Sequence, residues 1–202
     1  MRASALILNL CVSALSFIGY RSKNHFDSRT LGILIITSIP AAFLGGLLSF
    51  PGTFYKTILG LFLLLVVLRM LGLFGSSKVE PKNMTVTAGL VSGALLGFIS
   101  GVIGIGGGII LSPLLLMLGW APMKTTAGVS AAFIFLNSAA GLAGLHFSDQ
   151  LVVHSQIPWW ILLVFVGGVL GSFAGSRYFS PLQVRRLLAV VLAVASVKLL
   201  LF

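Results

Sequence analysis

The residues of this chain whose types and spacing suit them to chemistry are Gly104, Gly106, Gly107 and Gly108, followed closely by Ser112 and Pro113, all inside an otherwise unbroken apolar stretch. Glycine exposes its backbone N–H with no side chain in the way. At a helix start these N–H groups lack intrahelical partners and sit at the positive end of the dipole. A glycine run just ahead of a helix expected to begin near Ile109 is therefore suited to cradle an anion. In hydrocarbon such a break is tolerated only where it lines a cavity or is packed by neighbouring segments.

A second set of candidates lies downstream, at Thr125, Thr126, Ser130, Asn137 and Ser138. Positions 126, 130 and 137 share one helical face, because steps of four and seven residues are close to whole turns. Facing a cavity, they would supply hydroxyl and amide donors; facing a helix, they would form interhelical hydrogen bonds. The spacing leaves both open. Asn137 is the strongest candidate, since an amide in mid-membrane is costly without a purpose. Asn9, Ser4 and Ser13 are the first-half counterparts of this stripe. The expected binding set is thus Gly104, Gly106, Gly107, Gly108, Ser112, Thr126, Ser130, Asn137, Ser138 and Asn9.

Other chemistries are excluded. No strand precedes the glycines and no Lys-Ser/Thr follows them, which rules out a dinucleotide or P-loop fingerprint. His25, His146 and His154, with Asp27 and Asp149, match no standard ligand spacing, so no metal is expected. No Asp or Glu lies within an apolar span, so there is no paired-carboxylate site or Ser-His-Asp triad. The chain reads as a non-enzyme without a cofactor, and an anion driven by its own gradient or by the membrane potential suits it better than a proton-coupled cation. Cys11, the single cysteine, reads as a small packing residue.

The elements that must position these residues are membrane helices. Of 202 residues, 58% are hydrophobic and 8% charged, and the mean hydropathy is +1.13, outside the range of water-soluble domains. At about 20 residues per crossing the chain has room for roughly six to eight segments. Apolar spans run over 3–20, 31–50, 58–74, 85–118, 127–145, 158–175 and 187–202. The start, with Arg2 ahead of an apolar run, lacks a clear small-residue cleavage site and reads as a retained span.

The net charge of +10 comes from Lys and Arg scattered between spans, which orients the protein and gives no reason to expect nucleic acid. The loops holding Arg21, Lys23 and Arg29, then Lys78 and Lys82, then Arg177, Arg185 and Arg186 are expected on the cytoplasmic side, and the loop from His146 to Ile157 outside. Lys78 and Lys124 must then share a side. The 85–118 segment therefore enters and returns as a hairpin, with its glycine turn at membrane depth. Trp159 and Trp160, with Trp120, Tyr20, Tyr55 and Tyr178, fit interfacial belts.

An internal repeat accompanies this topology. Pro51, Lys56 and Arg69 correspond to Pro181, Arg185 and Lys198, and Leu44-Gly45-Gly46 to Leu170-Gly171-Ser172. Ser4-Ala5 and 13–19 correspond to Ser130-Ala131 and 138–144. Because the loop at Arg21 and its counterpart at His146 face opposite sides, the halves are inverted, the arrangement that supports alternating access. The expected division is a first repeat over 1–74, a cytoplasmic linker over 75–84 and a second repeat over 85–202. The first repeat is expected to be incomplete, with nothing before Ala3 to match the glycine hairpin. Gly89, Gly93, Gly97 and Gly101, and likewise Gly167, Gly171 and Gly175, recur every four residues and read as helix-packing faces. Arg69 and Lys198 either snorkel to the interface or add positive potential to an anion vestibule. The fold expected is all-α, a polytopic transmembrane helical bundle of inverted-topology repeats with a glycine-broken hairpin.

Several motifs carry a family resemblance: Gly97-Phe98-Ile99-Ser100-Gly101, Gly104-Ile105-Gly106-Gly107-Gly108, Ser112-Pro113, Thr125-Thr126-Ala127-Gly128-Val129-Ser130, Asn137-Ser138-Ala139-Ala140-Gly141, His146-Phe147-Ser148-Asp149 and Asn24-His25-Phe26-Asp27. Together they resemble the sulfite exporter TauE/SafE family over essentially the whole chain. The resemblance implies a multi-pass protein of the bacterial inner membrane that exports sulfite, sulfonates or related small sulfur anions. The partners implied are the anion and the lipid bilayer, with either a homo-oligomer or a partner supplying the second hairpin. The competing expectation is an integral membrane scaffold or incomplete subunit with no transport of its own.

Overall fold

The computed structural model describes residues 2–48, 60, 64, 67–68, 82–104 and 106–201, the side chains of 199–201 excepted. The expected span at 58–74 apart from 60, 64 and 67–68, then Pro51, Tyr55, Lys56, Arg69 and Lys78, and all of the 75–84 linker but 82–84, lie outside these residues. The chain is built from helices α1 (Arg2–Arg21), α2 (Ser28–Leu47), α3 (Val86–Ile103), α4 (Gly108–Leu118), α5 (Met123–Phe147), α6 (Ile157–Phe173) and α7 (Pro181–Leu201), with a π-helical turn at Ala174–Tyr178. Among the described residues, five helices are long and apolar enough to cross a membrane, and α4 is not one of them.

Two helices begin earlier than their apolar runs because of local capping. Asp27 accepts a hydrogen bond from Arg29 N at 2.9 Å and another from Thr30 Oγ1 at 2.6 Å, which starts α2 at Ser28. At α7, Ser180 N donates to Gln183 Oε1 and Gln183 N donates back to Ser180 Oγ. This capping box, with Pro181 as the first helical residue, starts the helix in polar sequence.

The 85–118 segment is a hairpin, as expected. Lys82 N donates to Gly119 O at 2.9 Å, so the approach to α3 and the exit of α4 lie at the same end. Gly128 of α5 packs against His25 and Tyr20, and Lys124 Nζ donates to Ser176 O. Arg21, Lys23, Arg29, Lys82, Lys124 and Arg177 therefore gather at one end of the bundle, hereafter the basic end. His154 N donates to Ser4 Oγ at the other end.

Helix directions follow from close contacts. In α3, Gly93, Gly97 and Gly101 lie against the backbone of Leu34, Ser38 and Ala42 in turn, so α2 and α3 run parallel. A Cβ on any of these glycines would overlap a carbonyl oxygen, and their four-residue spacing is a packing face. Thr37 Oγ1 adds an interhelical bond to Leu90 O at 2.6 Å. Helix α1 runs antiparallel to α5, with Tyr20 beside Gly128 and Leu6 beside Gly141, and parallel to α6, with Val12 beside Gly168 and Ser172 Oγ donating to Leu15 O. Helix α2 runs with α5, Gly46 meeting Gly141 and Gly144.

The second glycine stripe packs through a different face from the one expected. A methyl on Gly167 or Gly171 would meet nothing within 4 Å among the described residues; Gly175 packs as expected, and the other contacts come from Gly168 and Ser172. Tyr20 is buried beside Gly175, so it packs within the bundle and does not form part of a belt. The main apolar core joins Leu31 and Leu34 of α2, Leu96 of α3, Leu111 and Leu115 of α4, and Val129 and Phe133 of α5. That core fixes the glycine turn between three long helices.

Candidate anion site at the glycine break

Helix α3 ends at Gly104, whose φ of +79° is left-handed and whose N–H donates to Ser100 O at 2.8 Å. Gly106 and Gly107 are left-handed too, at +74° and +71°, a conformation that costs an L-residue roughly 1–2 kcal/mol. The spacing of the run is therefore set by backbone geometry. Helix α4 has 11 residues, about 16 Å at 1.5 Å per residue, roughly half the ~30 Å hydrocarbon thickness. Its N-terminus is therefore held inside the bundle.

Gly107 O accepts the first helical bonds of α4, from Ile110 N and Leu111 N. The amides of residues 107–109 thus precede the hydrogen-bonded ladder, with no partner inside the helix. Three side chains from three other helices converge on this turn. A Cβ on Gly106 would stand 2.8 Å from Ser138 Oγ of α5 and 3.2 Å from Asn9 Nδ2 of α1. One on Gly107 would stand 3.2 Å from Ser100 Cβ of α3. Ser138 and Ser100 are buried, and their hydroxyls have no hydrogen-bond partner among the described residues. Buried hydroxyls without partners are costly, and two of them lie beside the start of α4.

The other expected residues are placed as follows. Gly108 packs against Ile134. Ser112 Oγ donates to Ser130 Oγ at 2.9 Å, a pair one turn further along α4. Asn137 is fully buried, its Nδ2 donating to Phe133 O at 2.9 Å while Oδ1 has no partner among the described residues. Thr126 stands apart: its hydroxyl donates to Ala121 O, and the twelve residues to Ser138 put it about 18 Å away along α5. Gly104 spends its N–H on the α3 cap and so is not a free donor. Of the first-half counterparts, Ser13 Oγ donates to Asn9 O and Ser4 Oγ accepts from His154 N. Two polar groups in or near the site escape a sequence reading. Ser100 is visible only as the serine of a Gly-x-x-Ser-Gly step, and Arg2 as a flanking charge.

At the basic end, burial lowers the His25 pKa below its usual value, with Lys124 adding to the effect. Asp27 is the α2 cap. Among the described residues, no group of three or more His, Cys, Asp or Glu side chains is placed to hold a metal ion.

A bundle of apolar helices with a half-length hairpin helix starting at membrane depth, opposed by unpartnered hydroxyls, defines a multi-pass membrane protein of the transporter class. The family model for the sulfite exporter TauE/SafE proteins matches residues 1–199, and the chain belongs to that family. It is 35% identical to the "Probable membrane transporter protein y4hK" of Sinorhizobium fredii, over 99% of this chain and 82% of that protein. It is 25% identical to the "Probable membrane transporter protein YunE" of Bacillus subtilis, over 89% of this chain and 70% of that protein. A further 31% match, to the "Probable membrane transporter protein MamO" of Paramagnetospirillum magneticum, covers 59% of this chain and a fifth (20%) of that protein. No solved structure matches.

Proposed function

We propose that this membrane transporter exports small sulfur oxyanions, such as sulfite or organosulfonates, across the bacterial inner membrane by alternating access. The observation that carries the reading is the glycine break. The start of α4 lies beside Ser100 and Ser138, whose buried hydroxyls have no partner among the described residues, and beside the amide nitrogen of Asn9. An oxyanion leaving water needs several hydrogen-bond donors, and neutral donors aided by a helix dipole supply them without the cost of burying a cation. Gly106, Gly107, Gly108, Ser100, Ser138 and Asn9 form the proposed contact set. Ser112, Ser130 and Asn137 stand behind it, while Gly104 and Thr126 keep structural roles. The basic end is taken as cytoplasmic.

The test is flux of labelled sulfite and of a sulfonate in proteoliposomes, with Gly107→Leu as comparison. Loss of flux in a variant that still inserts supports the reading, and retained flux refutes it.

A second reading has its own observation. Gly45 of α2 packs against Phe98, Gly101 and Val102 of the hairpin, whereas its repeat counterpart Gly171 has open space around it among the described residues. A second glycine hairpin, from further chain or from a partner, would fit against that face of α6, and without it the chain would be an incomplete transporter or a scaffold. Reconstituted protein that moves neither anion until such a hairpin is supplied would favour this reading.

A further inference from the structure

Arg2 stands where three helix ends meet beside the glycine break. Its Nη1 donates to Leu48 O at 3.0 Å, and its Nη2 donates to Gly45 O at 3.3 Å and to Gly101 O at 2.7 Å. These carbonyls belong to the ends of α2 and α3, where C=O groups run short of helical partners and the dipole is negative; Gly45 O also accepts from Leu48 N at 3.3 Å. The backbone of Arg2 also touches the turn itself. A Cβ on Gly104 would lie 3.1–3.3 Å from Arg2 Cβ, Cα and O. Snorkelling to the interface would account for a charge at this end of α1, but it does not require bonds to two helices at once.

The repeat gives these bonds their meaning. Helices α1 and α2 belong to the first half, whereas α3 belongs to the second, and alternating access requires one half to move against the other. The Arg2 to Gly101 bond crosses that boundary within three residues of Gly104. We infer that Arg2 is the positioning residue of a latch: its guanidinium ties the first repeat to the end of α3 and holds the glycine site shut toward the end opposite the basic loops. Opening toward that end requires the Gly101 bond to break. Arginine suits the role because its planar fork presents donors to carbonyls on separate helices at fixed angles, which a lysine ammonium does not. As a device that gates the proposed anion site, the latch rests on the transport reading.

The test measures access without needing flux. In a Cys11→Ser background, Ser138→Cys places a thiol beside the glycine turn. A membrane-impermeant, charged thiol reagent is then applied from either side, in right-side-out and in inverted vesicles. With Arg2 intact, labelling from the Arg2 side is slow. Arg2→Gln is expected to raise that rate about tenfold or more, the range set by losing a charge-assisted bond, with no rise from the basic side. Arg2→Lys, expected to fall between, carries the test if the glutamine variant does not reach the membrane. Unchanged rates overturn the latch, and so does an equal rise from both sides, which marks a loosened bundle. Sulfite flux in vesicles that carry the protein with Ser138 and Cys11 unchanged, with and without Arg2→Gln, separates the two ideas. Side-specific labelling without flux in the Arg2 protein refutes transport and leaves the latch standing, while normal flux with no Arg2-dependent labelling does the reverse.

Discussion

Replacing Gly106 by alanine separates a binding role of the glycine break from a packing role. Gly106 has φ +74°, and a Cβ there would sit 2.8 Å from Ser138 Oγ and from Ile134 Cγ2. The Ser138 hydroxyl can rotate aside, while Ile134 Cγ2 is held by a χ1 that a helix restricts, so a modest steric cost adds to the left-handed strain of about 1–2 kcal/mol. Gly97→Ala is the control. Its Cβ would overlap the carbonyl oxygen and Cα of Ser38, which cannot rotate away, so α2 and α3 must separate at a cost near the upper end of the roughly 1–3 kcal/mol typical of overpacking. On stability alone Gly97→Ala is the worse variant. On transport the order reverses, because the Gly106 methyl occupies the space between Ser138 Oγ and Asn9 Nδ2. Losing one hydrogen bond to a charged ligand costs about 1.5–3 kcal/mol, or roughly 10- to 150-fold in affinity. The assay is concentration-dependent anion flux in proteoliposomes, divided by the amount of folded protein recovered after mild heating in detergent. Gly106→Ala should be recovered better than Gly97→Ala but require far higher anion concentrations. If its flux per folded molecule and its half-saturating concentration match those of the parent, the glycine turn is a packing device and the cradle is wrong.

Three further outcomes are expected. Ser138→Ala removes a buried hydroxyl without a partner among the described residues, so thermal stability should hold or rise by up to about 1 kcal/mol while flux falls; a drop in stability would mean that the hydroxyl has a structural bond. Gly171→Leu enters open space and should leave folding of the purified chain unchanged, yet it should abolish flux if a second hairpin docks on α6; unchanged flux removes that docking face. His25 has a folded-state pKa held below 6.5 by burial, then by Lys124, so between 6.5 and that lower value the unfolded chain binds more protons. Stability should decline as pH falls through this window and His25→Gln should flatten the decline; an identical pH profile for the variant would remove the effect.

Much of the fold is legible in the sequence because lipid enforces it. Backbone groups in hydrocarbon must be satisfied within each helix, so apolar length alone locates α1, α3, α5 and α6, and the parity of basic loops demands the 85–118 hairpin that Lys82 and Gly119 close. Helix starts are less legible, since α2 and α7 are extended by Asp27 and by the Ser180–Gln183 box into polar sequence that a hydropathy reading discards. At the site, the glycines and Ser138 stand out because their types are expensive in a membrane. Periodicity groups Thr126 with the same stripe because it reports which face a residue shares and nothing about depth along the helix. Ser100 and Arg2 stay hidden because their roles depend on which helix ends meet, and that depends on the tertiary packing.

The contacts of the two halves bear on how a glycine hairpin comes to be held at all. Exchanging α1 with α5 and α2 with α6 turns the α1–α6 contact into the α5–α2 contact, and both exist. Ser172 meets Gly19 on one side, while Gly46 meets Gly144 on the other, and these are the positions that the expected repeat pairs. Where the two sides differ is one position earlier: Gly45 faces the backbone of α3, and Gly171 faces open space among the described residues. On the proposed repeat, the scaffold of α1, α2, α5 and α6 would carry two equivalent seats, of which 86–118 fills the one at Gly45. A site assembled this way needs only small residues at the seat and donors on the neighbouring helix, since the scaffold supplies the alignment. The same symmetry makes the Gly45 seat the more informative place to perturb. Gly45→Ala would drive a methyl into Gly101 and Val102, two residues short of the break, and should cost stability and flux together, in contrast to the selective loss of flux expected at Gly106. Measuring both variants on one preparation distinguishes a hairpin that is badly seated from one that is well seated and no longer able to bind.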